Sequence, residues 1–161
     1  LSLATSLHPD IGLKWPNDLW WQERKLAGIL IETAAVGAAR QAVIGVGVNL
    51  APPGDADGLR TPAAGLQELL PTIDAGAALL RLVEPLVRTL KTFEAGGFSP
   101  FVAGYRECDV LHGREVVLSD GAQGVARGVD AGGALLVHTA AGLQRVTSSD
   151  VSVRPRSDTH L

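Results

Sequence analysis

Two lysines and one aspartate, Lys14, Lys25 and Asp18, stand close together in a part of the sequence that is otherwise largely apolar. Ammonium groups attract phosphates and carboxylates, and an aspartate can hold Mg²⁺ directly or through water. A nucleotide is a ligand that uses all of these groups. Taken alone, Pro16, Asn17 and Asp18 read better as an ordinary turn in which Lys14 is solvated.

The proline in the segment KWPNDL, residues 14–19, restricts the chain on both sides. Pro16 fixes its own φ angle and disfavours the helical region for Trp15. We therefore predict that a strand runs through Trp15 and that the chain turns at Asn17 and Asp18. In that case the lysine and the aspartate of this segment lie on a stiff frame.

Three glycines mark a bare surface near these residues. Gly45 and Gly47 fall on one face of the predicted strand QAVIGVGVNL, and Asn49 follows them. Gly28 lies in the preceding apolar strand. A glycine weakens a strand, so its presence suggests that another backbone or a ligand comes close there. The sequence therefore predicts a pocket with two lysines, one carboxylate, two amides and a floor of bare backbone.

Composition and motifs exclude several other kinds of site. The chain has no G-x-x-x-x-G-K-[ST] loop, and GVGVNL does not match G-x-G-x-x-G. A net charge of -3 and a pI near 5.8 provide no basic field for nucleic acid or anionic lipid. The four histidines and Cys108 have no metal-ligand spacing. We expect an anionic ligand held by a few placed cations, with no nucleic-acid and no membrane partner.

The first part of the chain combines a short helix with strands. Residues 1–7 have helical spacing that the following proline ends, and residues 11–15 read as a strand. The polar QER at 22–24 marks a hairpin whose second strand continues to Glu32. QAVIGVGVNL is apolar on both faces, which predicts a strand in the middle of a sheet.

Two helices are predicted next. Thr61 suits the N-cap of a short helix that ends near Leu70. Asp74 suits the cap of a longer amphipathic helix, which the glycines at 96–97 end. Pro85 lies inside that pattern and should kink or divide the helix.

From about Cys108 the pattern changes to four or five short β-rich runs separated by tight turns. Such a pattern describes a small barrel or sandwich. We therefore predict an α+β chain with a first domain over residues 1–107, a small β domain over 108–156 and a tail over 157–161.

The segments LKWPNDLWWQERKLAGILIE and VIGVGVNL closely resemble biotin protein ligase, the enzyme that attaches biotin to carrier domains of biotin-dependent carboxylases. The segments GLQELL and GREVVL…GVARGVDAGGALLV extend the resemblance over nearly all of the chain. It implies the C-terminal two-thirds of the catalytic domain, with a mixed sheet and flanking helices like those of class II aminoacyl-tRNA synthetases, followed by an SH3-like barrel.

The resemblance also implies roles for individual residues. The implied catalytic residues are Lys14, Asp18 and Lys25, and Asp18 is also the implied Mg²⁺ ligand, directly or through water. The residues implied to bind ATP are Lys14, Asn17, Asp18, Asn49 and Arg154. The residues implied to bind biotin are Lys25, Gly28, Gly45 and Gly47.

The implied reaction consumes ATP with Mg²⁺, converts biotin to biotinyl-5′-AMP and transfers biotin to a lysine of a biotin carboxyl carrier domain. Because the apolar region 27–50 is interrupted by charges and glycines and the first residues show no signal-peptide pattern, we expect a cytoplasmic location. A homodimer is possible for such an enzyme. The alternative is a noncatalytic biotin- or nucleotide-binding regulator of the biotin operon repressor type, or a truncated paralogue.

One expectation concerns completeness. The family's Gly/Arg-rich segment, which folds over biotin and the adenylate, precedes KWPNDL and is absent from this sequence. The sequence contains no methionine and opens with Leu1 inside an apolar pattern. We expect a piece of a longer ligase that by itself binds weakly and does not turn over.

Overall fold

The computed structural model describes residues 1–37, 39–52, 61–147 and 154–155, and for residues 39, 40, 154 and 155 it describes the backbone only. The order of elements is α1 (Ser2–Leu7), β1 (Gly12–Lys14), β2 (Asp18–Trp21), β3 (Arg24–Val36), β4 (Ala39–Val48), a 3₁₀ turn (Leu66–Glu68), α2 (Ala75–Gly96), a second 3₁₀ turn (Ser99–Phe101), α3 (Val102–Cys108), β5 (Glu115–Val117), β6 (Gln123–Val129), β7 (Leu135–Thr139), β8 (Gly142–Val146) and β9 (Arg154–Pro155).

The first sheet has the order β1-β2-β3-β4, and every pair in it is antiparallel. The expectation of a mixed sheet is therefore wrong for the described strands. The expectation that QAVIGVGVNL lies in mid-sheet is also wrong, because β4 pairs only with β3 among the described residues. Its Val43 is 69% exposed. An apolar pattern on both faces predicts a strand but does not tell whether both edges are paired.

Two tight hairpins join the first three strands. The first turn occupies residues 15–17 rather than Asn17 and Asp18 as predicted, because β1 ends at Lys14 and β2 begins at Asp18. The second turn is made by Gln22 and Glu23, which both have positive φ angles of 49° and 61°. Two left-handed residues twist a two-residue loop in the direction that antiparallel strands require, and this hairpin is confirmed.

The two predicted helices fare differently. No helix begins at Thr61: the chain runs extended past β3 and makes only the turn Leu66–Glu68. The long helix is confirmed as α2, where the Asp74 carboxylate accepts the Ala77 N–H at 2.7 Å and Gly97 ends the helix with φ 64°. Helix α2 continues through Pro85 without division. In the described part of the chain, no helix is both long and apolar enough to be a candidate membrane span.

The second sheet has the order β8-β7-β6-β5-β9 and is antiparallel throughout, which confirms the predicted run of short strands. The two sheets share one apolar core that includes Leu13, Leu26, Leu111 and Leu135. The proposed division at residue 108 coincides with the end of α3 and stays a prediction. The predicted tail, residues 157–161, lies outside the described residues.

The junction between the sheets contains a carboxyl group that is poorly solvated. The Val110 N–H donates to the Leu13 carbonyl at 3.1 Å, which ties β1 to the start of the second sheet. The neighbouring Asp109 accepts the Leu111 N–H at 2.9 Å through Oδ1, whereas its Oδ2 is buried and has no hydrogen-bond partner in the described part of the chain. Burial raises the pKa of the Asp109 carboxyl above the 3.8 usual for aspartate.

We predict that Asp109→Asn removes a pH dependence of stability. A folded-state pKa above the unfolded-state value means that folding favours the protonated acid, so this stability is present below about pH 4 and lost as the pH rises through the folded-state pKa. The free energy of unfolding of the wild-type protein, measured by urea denaturation, should therefore fall relative to that of Asp109→Asn between about pH 4 and pH 7. The control is Asp120→Asn, since the exposed Asp120 also accepts an N–H two residues on, from Ala122 at 2.9 Å. Parallel pH profiles for all three proteins would contradict the prediction.

Candidate functional site

Three charged side chains meet on one face of the first sheet. The Lys25 Nζ atom lies 2.7 Å from Oδ1 of Asp18, and the Lys14 Nζ atom lies 4.0 Å from Oδ2 of the same carboxylate. The side chains of Lys14 and Asp18 are only 11% and 15% exposed, whereas that of Lys25 is 41% exposed. The structure thus brings together the three residues predicted to be catalytic.

The register of the hairpins explains how Lys14 and Asp18 come together. Lys14 lies directly opposite Asp18, Asp18 lies opposite Gly28, and Gly28 lies opposite Gly47. Residues directly opposite each other in a sheet point to the same face. One row across four strands therefore carries an ammonium group, a carboxylate and then two residues without side chains.

Lys25 reaches the same face because of a β-bulge. Leu19 pairs with Ala27 and Trp20 pairs with Lys25, so Leu26 has no partner on β2. In a regular strand Lys25 and Gly28, three residues apart, would point to opposite faces. The extra residue shifts the alternation by one and turns Lys25 towards Asp18.

The glycines form the floor of an open groove of about 510 Å³. Its lining consists of Asn17, Lys25, Gly28, Ile29, Leu30, Gly45, Val46 and Gly47. A Cβ atom on Gly45 would lie 3.8 Å from its nearest neighbour, and one on Gly47 would lie 4.0 Å away. The folded chain itself therefore does not require glycine at these two positions. At Gly28 the nearest atom would be the Lys25 Nζ atom, at 3.1 Å.

The two predicted amides differ in their relation to the groove. Asn17 lines the groove and is held against β3 by two hydrogen bonds. Its side-chain Nδ2 donates to the Ile29 carbonyl at 2.7 Å, and its backbone carbonyl accepts the Ile29 N–H at 2.9 Å. Asn49 instead donates from Nδ2 to the backbone carbonyls of Lys25 and Ala64, at 3.3 and 3.2 Å. Asn49 thus supports the backbone of Lys25 from beside the groove, and its contact with a nucleotide stays a prediction.

The charges favour an anion with an associated cation. Two ammonium groups and one carboxylate leave one net positive charge, and Lys14 also lies 5.3 Å from the centre of the Trp20 ring. Across the residues that the structure describes, no group of three or more potential metal ligands occurs. Mg²⁺ often uses a single protein carboxylate plus substrate phosphates, so Asp18 suits a shared site rather than an all-protein one. The Arg154 backbone lies in β9, and its side chain lies outside the described residues.

Sequence reasoning missed two contributors to this region. Trp20 is buried, and its ring faces the Lys14 ammonium group, a contact that the sequence did not predict. Arg24 forms a two-pronged ion pair with Glu68, at 3.1 and 2.8 Å. Local pattern offered no signal for this pair because its members are far apart in sequence.

Comparison with protein families gives two matches. Residues 9–49 match the "Biotin/lipoate A/B protein ligase family", and residues 111–154 match the "Biotin protein ligase C terminal domain". The first match contains the charged residues and the glycine floor, and the second covers most of the second sheet.

Curated relatives agree with these matches. The chain is 36% identical over 149 residues to the "Bifunctional ligase/repressor BirA" of Salmonella typhimurium, covering 89% of this chain and 47% of that protein. It is 31% identical to the "Biotin--[acetyl-CoA-carboxylase] ligase" of Paracoccus denitrificans, covering 94% of this chain and 66% of that protein. The chain thus spans about half the length of the first of these relatives.

Solved structures show the same similarity. A crystal structure of biotin protein ligase from Aquifex aeolicus superposes with a TM-score of 0.81 at 25% identity, covering 96% of this chain and 73% of that one. The Aquifex aeolicus enzyme in complex with biotin and ATP superposes with a TM-score of 0.79, also at 25% identity, covering 96% and 70%. From these matches over both sheets, the chain belongs to the biotin protein ligase family.

Proposed function

We propose that the protein containing this chain is a biotin protein ligase, which uses ATP to attach biotin to a lysine of the biotin carboxyl carrier domain of a biotin-dependent carboxylase. The observation that carries the proposal is the convergence of Lys14, Asp18 and Lys25 beside a glycine-floored groove. Family membership supports the choice of biotin, and the biotin and ATP bound to the Aquifex aeolicus enzyme support both substrates. Use of ATP agrees with the cytoplasmic location predicted from the sequence.

The proposed reaction has two steps because a carboxylate is a poor acylating agent. In the first step a biotin carboxylate oxygen attacks the α-phosphorus of ATP, and the bond to pyrophosphate breaks, giving biotinyl-5′-AMP. In the second step the neutral lysine amine of the carrier attacks the carbonyl carbon of this mixed anhydride. The bond to AMP then breaks, AMP leaves with its electron pair, and the amine loses a proton.

The geometry suggests how the charged residues act. Lys25 has the most exposed side chain of the three and lines the groove, so its ammonium group can face the biotin carboxylate and the α-phosphate, where negative charge builds up in the first step. Asp18 holds that ammonium group in place and can share Mg²⁺ with the phosphates, and the ion would offset phosphate charge when bound. Lys14 is nearly buried between Asp18 and Trp20, which suits a fixed positive charge.

A noncatalytic regulator is the second candidate, because the Salmonella typhimurium relative carries the name ligase/repressor. The net charge of -3 gives this segment no basic field for DNA. Pyrophosphate release in the presence of ATP and biotin, with biotinylation of a carrier domain, separates the two candidates. Tight ligand binding without pyrophosphate release would favour the regulator. The same assay on residues 1–161 alone tests whether this segment is inactive by itself, as we propose.

We predict that Lys25→Ala, in the protein as expressed from its own gene, slows biotinyl-5′-AMP formation by roughly 10²–10³-fold, as expected for the loss of one placed charge. Its free energy of unfolding should fall by about 1 kcal/mol or less, since the ion pair with Asp18 is partly exposed. Pyrophosphate release and thermal denaturation measure the two effects. Lys91→Ala, on the exposed side of α2, is the matched control. A loss of activity no greater than that of Lys91→Ala would contradict the assignment.

We also predict that Gly47→Val blocks the groove without unfolding the sheet. The space above Gly47 accepts a side chain, so the Tm should change little, whereas affinity for biotin or ATP should fall by roughly tenfold or more. Isothermal titration calorimetry measures the affinities. Gln41→Val lies on the same face of β4, away from the groove, and serves as the control. Unchanged affinity in Gly47→Val would show that no ligand uses this floor.

A further inference from the structure

A short extended segment, residues 62–65, lies against β3 at Lys25, and we name it the strap. The Lys25 N–H donates to the Pro62 carbonyl at 2.8 Å, and the Ala64 N–H donates to the Lys25 carbonyl at 2.8 Å. Ala63 and Lys25 thereby form an isolated parallel bridge. The strap therefore satisfies both backbone polar groups of Lys25.

The bulge lies directly beside these strap contacts. Leu26 is unpaired with β2, so the hairpin ladder is interrupted next to Lys25. Asn49 strengthens the replacement contact, because its Nδ2 donates to the carbonyls of both Lys25 and Ala64. The backbone of Lys25 is thus held mainly by groups outside the β2–β3 hairpin.

An ion pair anchors the end of the strap. Arg24, the residue before Lys25, donates to both carboxylate oxygens of Glu68, at 3.1 and 2.8 Å. Oε1 of Glu68 also accepts the Gly65 N–H at 2.7 Å. Hydrogen bonds from Arg24 and from the Gly65 N–H hold the pKa of Glu68 below its usual value, so the carboxylate is charged at neutral pH.

The strap has little room to move away from β3. A Cβ atom at Gly65 would lie 2.3 Å from the Pro52 nitrogen and 2.4 Å from the Ala51 carbonyl carbon. The strap is therefore enclosed between β3 on one side and residues 51–52 on the other. Glu68 joins the end of this enclosed segment to the residue that precedes Lys25.

We propose that Arg24 and Glu68 are positioning residues that act through the strap, holding the Lys25 backbone so that its ammonium group reaches both Asp18 and the groove. Neither residue lines the groove, so neither is assigned a contact with substrate. The inference rests on the proposed function, because adenylate formation supplies its measurement. If it holds, the reaction needs Arg24 and Glu68 in addition to the three charged residues at the groove.

A double-mutant cycle in the protein as expressed from its own gene tests this inference. Glu68→Gln removes the charge while leaving an oxygen that can accept the Gly65 N–H. We expect it to slow biotinyl-5′-AMP formation by roughly tenfold, since small misplacements of a catalytic group have effects of this order. In a Lys25→Ala background the same substitution should have no further effect, because the group that it positions is absent. A merely structural role would give independent, multiplicative losses.

Two further variants complete the experiment. Glu84→Gln removes an exposed ion pair with Arg88 on α2 and is the matched control, with no expected loss of rate. Arg24→Lys keeps the charge but not the two-pronged geometry, and it should show a smaller loss than Glu68→Gln. Thermal denaturation checks that each variant is folded, and Arg24→Lys serves as the test if Glu68→Gln does not fold.

The outcomes separate this inference from the proposed function. If Lys25→Ala slows adenylate formation but Glu68→Gln does not, or if their losses multiply, the positioning role is wrong and the proposed function stands. If Lys25→Ala itself has no effect, the proposed site fails and this inference fails with it. Loss in both single variants, without further loss in the double variant, supports the positioning role.

Discussion

The arrangement of the site depends on the bulge at Leu26. Without that one unpaired residue, alternation along β3 would point Lys25 and Gly28 to opposite faces of the sheet. With it, the Lys25 ammonium group reaches Asp18 at 2.7 Å, and two lysines share one carboxylate above the glycine floor. A bulge removes ladder hydrogen bonds, so the position of Lys25 depends on contacts from elsewhere in the chain. The strap and Asn49 provide these contacts.

Lys14 is connected to the second sheet by a different route. It follows Leu13 on β1, and the Leu13 carbonyl accepts the Val110 N–H next to the poorly solvated Asp109. The Trp15 indole N–H donates to the Gly133 carbonyl at 3.1 Å, which adds a second link to the β-rich part of the chain. The turn between β1 and β2 is thus linked to the β-rich C-terminal part of the chain, which helps to hold the turn in place.

The hairpin, the capped helix α2 and the run of short C-terminal strands were all predictable, because each has a local cause. A polar two-residue loop between apolar strands, an aspartate before a helical period and glycines at turns act over a few residues. The predictions failed where distant contacts decide. Thr61 and Pro62 suit a helix start, but hydrogen bonds to Lys25 hold this segment extended. β4 is apolar on both faces, yet in the described chain only β3 pairs with it.

The sequence alone determined which chemical groups are available: two lysines, one aspartate, two asparagines and three glycines in short segments typical of a nucleotide site and similar to one family. It also determined the hairpin at QER, because a polar two-residue loop between apolar strands specifies a tight turn. It did not determine the turn between β1 and β2, which was predicted at Asn17 and Asp18 but occupies residues 15–17, so that Lys14 pairs with Asp18. Only the tertiary structure decided that Lys25 joins them, that Asn49 serves the backbone beside the groove, and that Arg24 reaches Glu68. The physical reason is that bulges and long-range ion pairs depend on distances across space, which residue spacing along the chain does not specify.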